Sequence, residues 1–198
     1  MRVTCLQETL QHALDQVTRA VATRTSLPAL SNVLLTTDNG RLKIVASDLN
    51  IAITTWIGAS IQEEGRLAVD ARLLSDFVHT LPAGQVELAS SGRQTLLTVT
   101  AGRVRAEING IDADDFPEIP VVVDDVESTS IDPAALREMI AQVEFAAASD
   151  ESRPVLAGVL VRIEGDRIVL AAADGFRLAV REGRMGRALL SPIDIIVP

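Results

Sequence analysis

One offset relates two stretches of this 198-residue chain, and it constrains the fold more than any single motif. Leu27-Pro28-Ala29-Leu30-Ser31-Asn32-Val33-Leu34-Leu35 is echoed by Arg153-Pro154-Val155-Leu156-Ala157-Gly158-Val159-Leu160-Val161. The 126 positions from Pro28 to Pro154 also carry Arg41 onto Arg167, Leu42 onto Ile168, Ala46 onto Ala172 and Asp48 onto Asp174, without a gap. Running backwards, Leu10 falls on Leu136, Leu14 on Ile140 and Val17 on Val143. An offset shared by a helical pattern, a proline and an aspartate marks an internal duplication, so each copy must build the same supersecondary unit.

Periodicity says what that unit is. Leu6, Leu10, Leu14, Val17 and Val21 recur at helical spacing, and so do Leu136, Met139, Ile140 and Val143. Asp132 is placed to cap the later helix, with Pro133 in its first turn. Asn39-Gly40 and Gly165-Asp166 are turn signals between paired strands. A second helix is predicted from Asp70 to Leu81, with Leu73, Leu74, Phe77, Val78 and Leu81 inward, closing at Pro82-Ala83-Gly84. Strands follow over Val86–Ala89, Gln94–Thr100 and Arg103–Asn109. The acidic, proline-containing stretch from Asp112 to Ser128 reads as solvated linker. The expected division is a first domain over 1–120, a linker over 121–127 and a second domain over 128–198. The second copy then lacks a counterpart to Leu73–Ile111 and reads as cut short.

Composition removes several function classes. No apolar run reaches the ~20 residues of a membrane span, and the first residues lack the apolar core of a signal peptide. Cys5 is the single cysteine, so no internal disulfide forms, and a reducing, cytoplasmic location is expected. A net charge of −9 argues against a broad basic grip on nucleic acid. Four phenylalanines and one tryptophan are too few for base-stacking platforms. Lys43 is the only lysine and has no glycine before it, which excludes a Walker-type phosphate loop.

Catalytic constellations are thin. His12 and His79 have no metal-ligand spacing, so neither a metal nor a cofactor is expected. Cys5 lies in a first-strand position without an activating neighbour and reads as packing. The repeat-equivalent Asp48 and Asp174 raise the alternative of a duplicated acid protease-like enzyme in which two carboxylates share a proton. Their flanks, Leu49-Asn50 and Gly175-Phe176, are not the matched Asp-Thr/Ser-Gly turns of such a dyad. The simpler reading is that each aspartate sets a turn through its side chain.

The segment Ala172-Ala173-Asp174-Gly175-Phe176-Arg177-Leu178-Ala179-Val180 is more specific. With the two repeat segments, Asp115-Phe116-Pro117 and the terminal Ile195-Ile196-Val197-Pro198, it resembles the bacterial DNA polymerase III β subunit, the replication sliding-clamp family. The resemblance implies an α+β DNA-clamp fold of repeated domains, each with two helices backed by antiparallel sheets. It implies a non-enzymatic processivity factor whose chains close head-to-tail into a ring around double-stranded DNA. This chain corresponds to the first domain and about half of the second, without a third.

The same resemblance assigns positions. Arg24 and Arg72 are expected to face DNA, while Asp150 stands where the family often has an uncharged residue. A cleft that takes short peptides from the DNA polymerase III core, the clamp loader and other proteins carrying a clamp-binding motif has its second-domain side at Arg153, Leu156, Ala173, Gly175, Phe176, Arg177 and Leu178. Ala173 replaces a frequent threonine. Ring closure is expected at an edge strand whose one face carries Val104, Ala106 and Ile108. Full-length chains are expected to be homodimers, and this portion a monomer or a weak, non-native dimer. A peptide-binding module with no DNA role is the other alternative.

Overall fold

The structure, a computed structural model, describes residues 1–22, 27–90, 95–119, 128–150, 153 and 155–198. It divides into two compact units, Met1–Pro120 and Val121–Pro198. In the first unit the chain runs β1 (Arg2–Leu6), α1 (Gln7–Val17), β2 (Asn32–Asp38), β3 (Arg41–Ser47), β4 (Ala52–Gly58) and β5 (Ser60–Glu63). It continues through β6 (Arg66–Asp70), α2 (Ala71–Thr80), β7 (Gln85–Ser90), β8 (Leu96–Ala101) and β9 (Val104–Ile111). The strands form one antiparallel sheet in the order β4-β3-β2-β6-β9-β8-β7-β1-β5.

This order hides a finer repeat. β1-α1-β2-β3-β4 and β6-α2-β7-β8-β9 are two halves of the same plan. Each half gives its first strand to the other, so that β1 pairs with β7 and β6 pairs with β2. The helices match position for position: Leu10, Leu14 and Val17 correspond to Leu74, Val78 and Leu81, and all six are buried in one core. Gln7 Nε2 donates to the Val78 carbonyl at 2.9 Å, tying the start of α1 to the end of α2. Cys5 lies in this core, and burial pushes its thiol pKa up to about 11, so it packs as an apolar group.

The second unit contains α3 (Pro133–Ala141), β10 (Val159–Glu164), β11 (Arg167–Ala173), β12 (Leu178–Arg184) and β13 (Ile193–Val197), with sheet order β12-β11-β10-β13. β4-β3-β2-β6 is the same arrangement. The registers agree at the 126-residue offset: Leu34 opposite Val45 becomes Leu160 opposite Ala171, and Arg41 opposite Gly58 becomes Arg167 opposite Arg184. Only the last pairing slips. Val33 meets Val69, whereas Val159 meets Val197, two positions further than the offset predicts. Pro154 itself lies outside the described residues, and the duplication rests on the elements that follow it.

The turns behave as their sequences dictate. Asn39 and Gly40 both take positive φ, the primed turn whose twist suits a hairpin. The Asp132 carboxylate accepts the Ala135 amide at 2.8 Å, and Asp70 accepts the Leu73 amide at 2.7 Å, each capping a helix.

Three expectations need correction. Leu6 ends β1 with its side chain exposed and does not join the buried stripe of α1. Leu73 is exposed rather than inward, because the Asp70 cap starts α2 so that Ala71, Leu74, Ser75 and Val78 face the core. The stretch from Asp112 is not solvated throughout. Ala113 and Phe116 are buried, Phe116 packing with Val45 and Ala68, while Asp114 pairs with Arg66. One aromatic ring is enough to draw an acidic segment onto the sheet. Among the described residues no helix is long and apolar enough to cross a membrane.

Candidate functional site

The most distinctive surface of the second unit is the hairpin corner between β11 and β12. The Asp174 amide bonds the Arg177 carbonyl (3.3 Å), and Asp174 Oδ1 accepts the amides of Phe176 (2.9 Å) and Arg177 (3.0 Å). Arg177 Nε donates to Asp174 Oδ2 at 2.8 Å. These amides first, and then the Arg177 side chain, hold the Asp174 carboxyl below its usual range. The aspartate is thus committed to its own turn, as Asp48 is to its turn, which supports the turn-setting reading over a shared-proton dyad.

Gly175 meets a conformational requirement of the turn: its φ is +92, and nothing in the chain lies within 4 Å of a Cβ built there. The turn holds Phe176 fully out in solvent, and Leu178 is 69 % exposed.

Arg153 and Leu156 lie on the segment leading into β10. The amides of Leu156 and Ala157 bond the Arg153 carbonyl at 2.9 and 3.2 Å, and the Leu156 carbonyl accepts the Ala148 amide at 2.8 Å. A short 3-10 turn, Glu144–Ala146, connects this segment to the hairpin, since Arg177 lies over the Phe145 ring at 5.8 Å. Arg153, Gly175, Phe176, Arg177 and Leu178 are exposed, and Leu156 and Ala173 half-buried.

Three exposed residues that the sequence reading passed over belong to this surface: Phe145, Val155 and Val180. The duplication could have found them. Their first-unit equivalents are Arg19, Ala29 and Thr54, and those of Phe176 and Leu178 are Asn50 and Ala52. The second copy has therefore gained large apolar side chains at five matched positions. Exposed large apolar side chains at positions that are small or polar in the other copy make this corner the candidate binding region of the second unit.

The other candidate positions fall elsewhere. Arg72 is exposed in the first turn of α2. Arg24 lies outside the described residues. β9 pairs with β8 along Val104–Asn109 and meets β6 only at Gly110 and Ile111. The Gly110 amide bonds the Thr95 carbonyl at 2.6 Å, so by alternation the backbone groups of Arg105, Glu107 and Asn109 point away from β8. Ile108 is buried, Ala106 half-buried and Val104 exposed on one face, while Arg105 and Glu107 pair on the other at 2.8 Å. Among the described residues no cluster of three or more His, Cys, Asp or Glu is gathered for a metal.

Two copies of one α+β plan, a β9 strand paired with β6 only at Gly110 and Ile111, and an exposed apolar hairpin corner characterise the described residues. Residues 1–120 match the DNA polymerase III beta subunit N-terminal domain, and residues 130–198 match the central domain of the same subunit. The chain belongs to the DNA polymerase III beta subunit family. It is 40 % identical over 189 residues to the beta sliding clamp of a Synechocystis species, covering 92 % of this chain and 48 % of that one. The crystal structure of the Bacillus subtilis DNA polymerase sliding clamp superimposes with a TM-score of 0.93 at 27 % identity, over 100 % of this chain and 54 % of that one. The DNA polymerase III subunit beta from Pseudomonas aeruginosa gives 0.89 at 30 % identity, over 100 % and 54 %. The chain spans about half the length of the relatives it matches.

Proposed function

We propose that this chain forms the first clamp domain and part of the second in a ring-forming processivity factor of the replicative polymerase. The ring encloses double-stranded DNA and docks short apolar peptides of the polymerase, the clamp loader and other partners. The observation that carries this reading is the agreement of both units with successive domains of one clamp subunit.

The chemistry is compatible. A ring retained by topology has no need of many phosphate contacts, each of which would release counterions and hinder sliding, so a net charge of −9 is tolerable. Arg24 and Arg72 are assigned to the DNA side. The open edge of β9 is assigned to ring closure, because an unpaired strand is a template for another. The hairpin is assigned to peptide docking, where Leu156, Phe176 and Leu178 offer apolar contact and Arg153 and Arg177 a polar rim. No catalytic step is assigned to any residue, and the site of action is the cell interior, where the DNA is.

A version of the chain extended to the length of its relatives tests this directly. After loading it is expected to stay on nicked circular duplex DNA and to run off once the circle is linearised. Arg24→Ala or Arg72→Ala is expected to lower the slope of log affinity against log salt by about one. Release that ignores linearisation would contradict the ring and leave a peptide-binding module.

A further inference from the structure

We infer that the first unit docks an extended acidic segment of a partner protein at Trp56, Arg41 and Lys43, on the sheet face turned away from its helices. Alternation fixes which side chains lie there. Leu42, Ile44 and Ile57 point into the core shared with α1 and α2, so Arg41, Lys43 and Trp56 point the other way. The chain itself covers part of that face, where Phe116 packs on Val45 and Ala68. The rest displays Trp56, 42 % exposed, with Lys43 opposite it in the register and Arg41 diagonal to it. All of these residues belong to the unit Met1–Pro120.

The indole is fixed, and it fixes two cations. Its Nε1 donates to Asp38 Oδ2 at 2.7 Å, which lays the ring across β3. The Arg41 guanidinium and the Lys43 ammonium stand 5.7 and 5.6 Å from the ring centroid. Asp38 faces Arg41 in the register, but its oxygens are taken by Trp56 and by Asn39 Nδ2, the latter at 2.8 Å. Among the described residues neither cation has a carboxylate partner.

The second unit shows what completes such a patch. The equivalents of Arg41 and Trp56 are Arg167 and Glu182, diagonal in the same register, and Arg167 Nε donates to Glu182 Oε2 at 3.2 Å. There the chain supplies the carboxylate itself. In the first unit an indole stands in its place, so the carboxylate comes from another chain and the ring adds apolar contact beside it.

Spacing and charge select the occupant. Arg41 and Lys43 are two residues apart on one strand face, roughly 7 Å between Cα atoms, which is also the spacing of alternate side chains on an extended peptide. A nucleic acid fits less well. Both cations crowd the ring on which a base would stack, and a net charge of −9 repels a long polyanion. A short acidic peptide needs only the local patch. The site is distinct from the hairpin corner, the β9 edge and Arg72, and it does not rest on the clamp reading.

Trp56 is the only tryptophan, so its emission reports the site directly. The 198-residue chain, and the version extended to the length of its relatives, are titrated with the peptide Gly-Glu-Leu-Glu-Leu-Gly. Both are expected to show a saturable change with a Kd of about 0.1–1 mM, weakened by added salt. With the same peptide carrying fluorescein, anisotropy is expected to show at least several-fold weaker binding to Arg41→Glu and to Lys43→Glu, circular dichroism being unchanged. Arg41→Glu/Lys43→Glu is expected to bind labelled Gly-Lys-Leu-Lys-Leu-Gly instead. If Arg41→Glu unfolds, Lys43→Glu decides. No saturable change in Trp56 emission overturns the proposal. Affinity indifferent to the charge reversals overturns it equally, placing the peptide at another surface such as the hairpin corner. Tighter binding of a short oligothymidine than of the peptide overturns it in favour of nucleic acid.

Discussion

Asp48 and Asp174 perform the same task in the two units. The Asp48 carboxylate accepts the amides of Asn50 and Ile51 at 2.9 and 2.8 Å, as Asp174 accepts those of Phe176 and Arg177. In both, the aspartate's own amide bonds the carbonyl three residues on. The duplicated aspartates are turn formers, and what differs between the turns is what each displays: Asn50 in one, Phe176 in the other. The same backbone device serves both copies while the exposed side chain differs, so the displayed group can change without refolding the turn.

The two corners also differ in strain. Leu49, with φ +76, occupies the position taken in the second unit by Gly175 at φ +92. A left-handed conformation costs a branched residue about 1–2 kcal/mol, while glycine costs roughly 0.5–1 kcal/mol in chain entropy. Leu49 is 61 % exposed and returns little burial. Leu49→Gly is therefore expected to raise the unfolding free energy in urea slightly, by up to about 1 kcal/mol, and Gly175→Ala to lower it by about 1 kcal/mol. The opposite signs in equilibrium unfolding would show that neither turn is strained as described.

The Asp174 turn carries a pH dependence. Its folded carboxyl lies below the ordinary carboxylate value, chiefly because the Phe176 and Arg177 amides stabilise the charged form. Depressed in the folded state, it contributes stability that is present above about pH 4 and lost as pH falls through the folded value. Asp174→Asn is expected to flatten the acid limb of the stability curve without changing its level of cooperativity. Direct titration of the Asp174 carboxyl by NMR should give a midpoint below that of a model aspartate.

Much of this was legible in the chain because the duplication acts as an internal alignment. The helix cap at Asp132, the Asn39-Gly40 hairpin and the β11 and β12 positions follow from local chemistry and one offset. What escaped was decided by packing. Leu73 satisfies helical spacing as well as Leu74 does, and only the cap rotation separates them. Phe116 is one apolar residue in an acidic run, and its burial depends on packing against Val45 and Ala68, distant in sequence, that no local pattern announces. Phe145 and Val180 were hidden for the converse reason, since an exposed apolar residue reads as core until its polar counterpart in the other copy is compared.

The proposed docking role of the hairpin predicts that binding and stability separate there. Phe176 is fully exposed, so Phe176→Ala is expected to change folding free energy by less than about 0.5 kcal/mol. In the extended protein the same substitution is expected to weaken a fluorescent clamp-binding peptide by at least tenfold, the loss typical of a central aromatic anchor. Leu178→Ala is expected to act likewise. Fluorescence anisotropy alongside urea unfolding distinguishes the outcomes, and equal losses in both would mean that the side chain is structural.

Packing between helix and sheet has been exchanged rather than copied in the two units. In the first, a small helix residue, Ala13, goes with a large strand residue, Ile57, and both are buried. In the second, the equivalents are Met139 and Gly183, and a Cβ built on Gly183 would come within 2.7 Å of the Met139 sulfur. The large partner has moved from strand to helix, and total volume is roughly conserved. Gly183→Ile alone is expected to destabilise by about 1–3 kcal/mol, softened by the flexibility of methionine. Met139→Ala alone is expected to cost about 2–3 kcal/mol through the space it leaves. Together, Met139→Ala/Gly183→Ile rebuild the first unit's pair and should recover most of both losses, a coupling above about 1 kcal/mol in a double-mutant cycle. Simple additivity would mean that the two positions do not share one space.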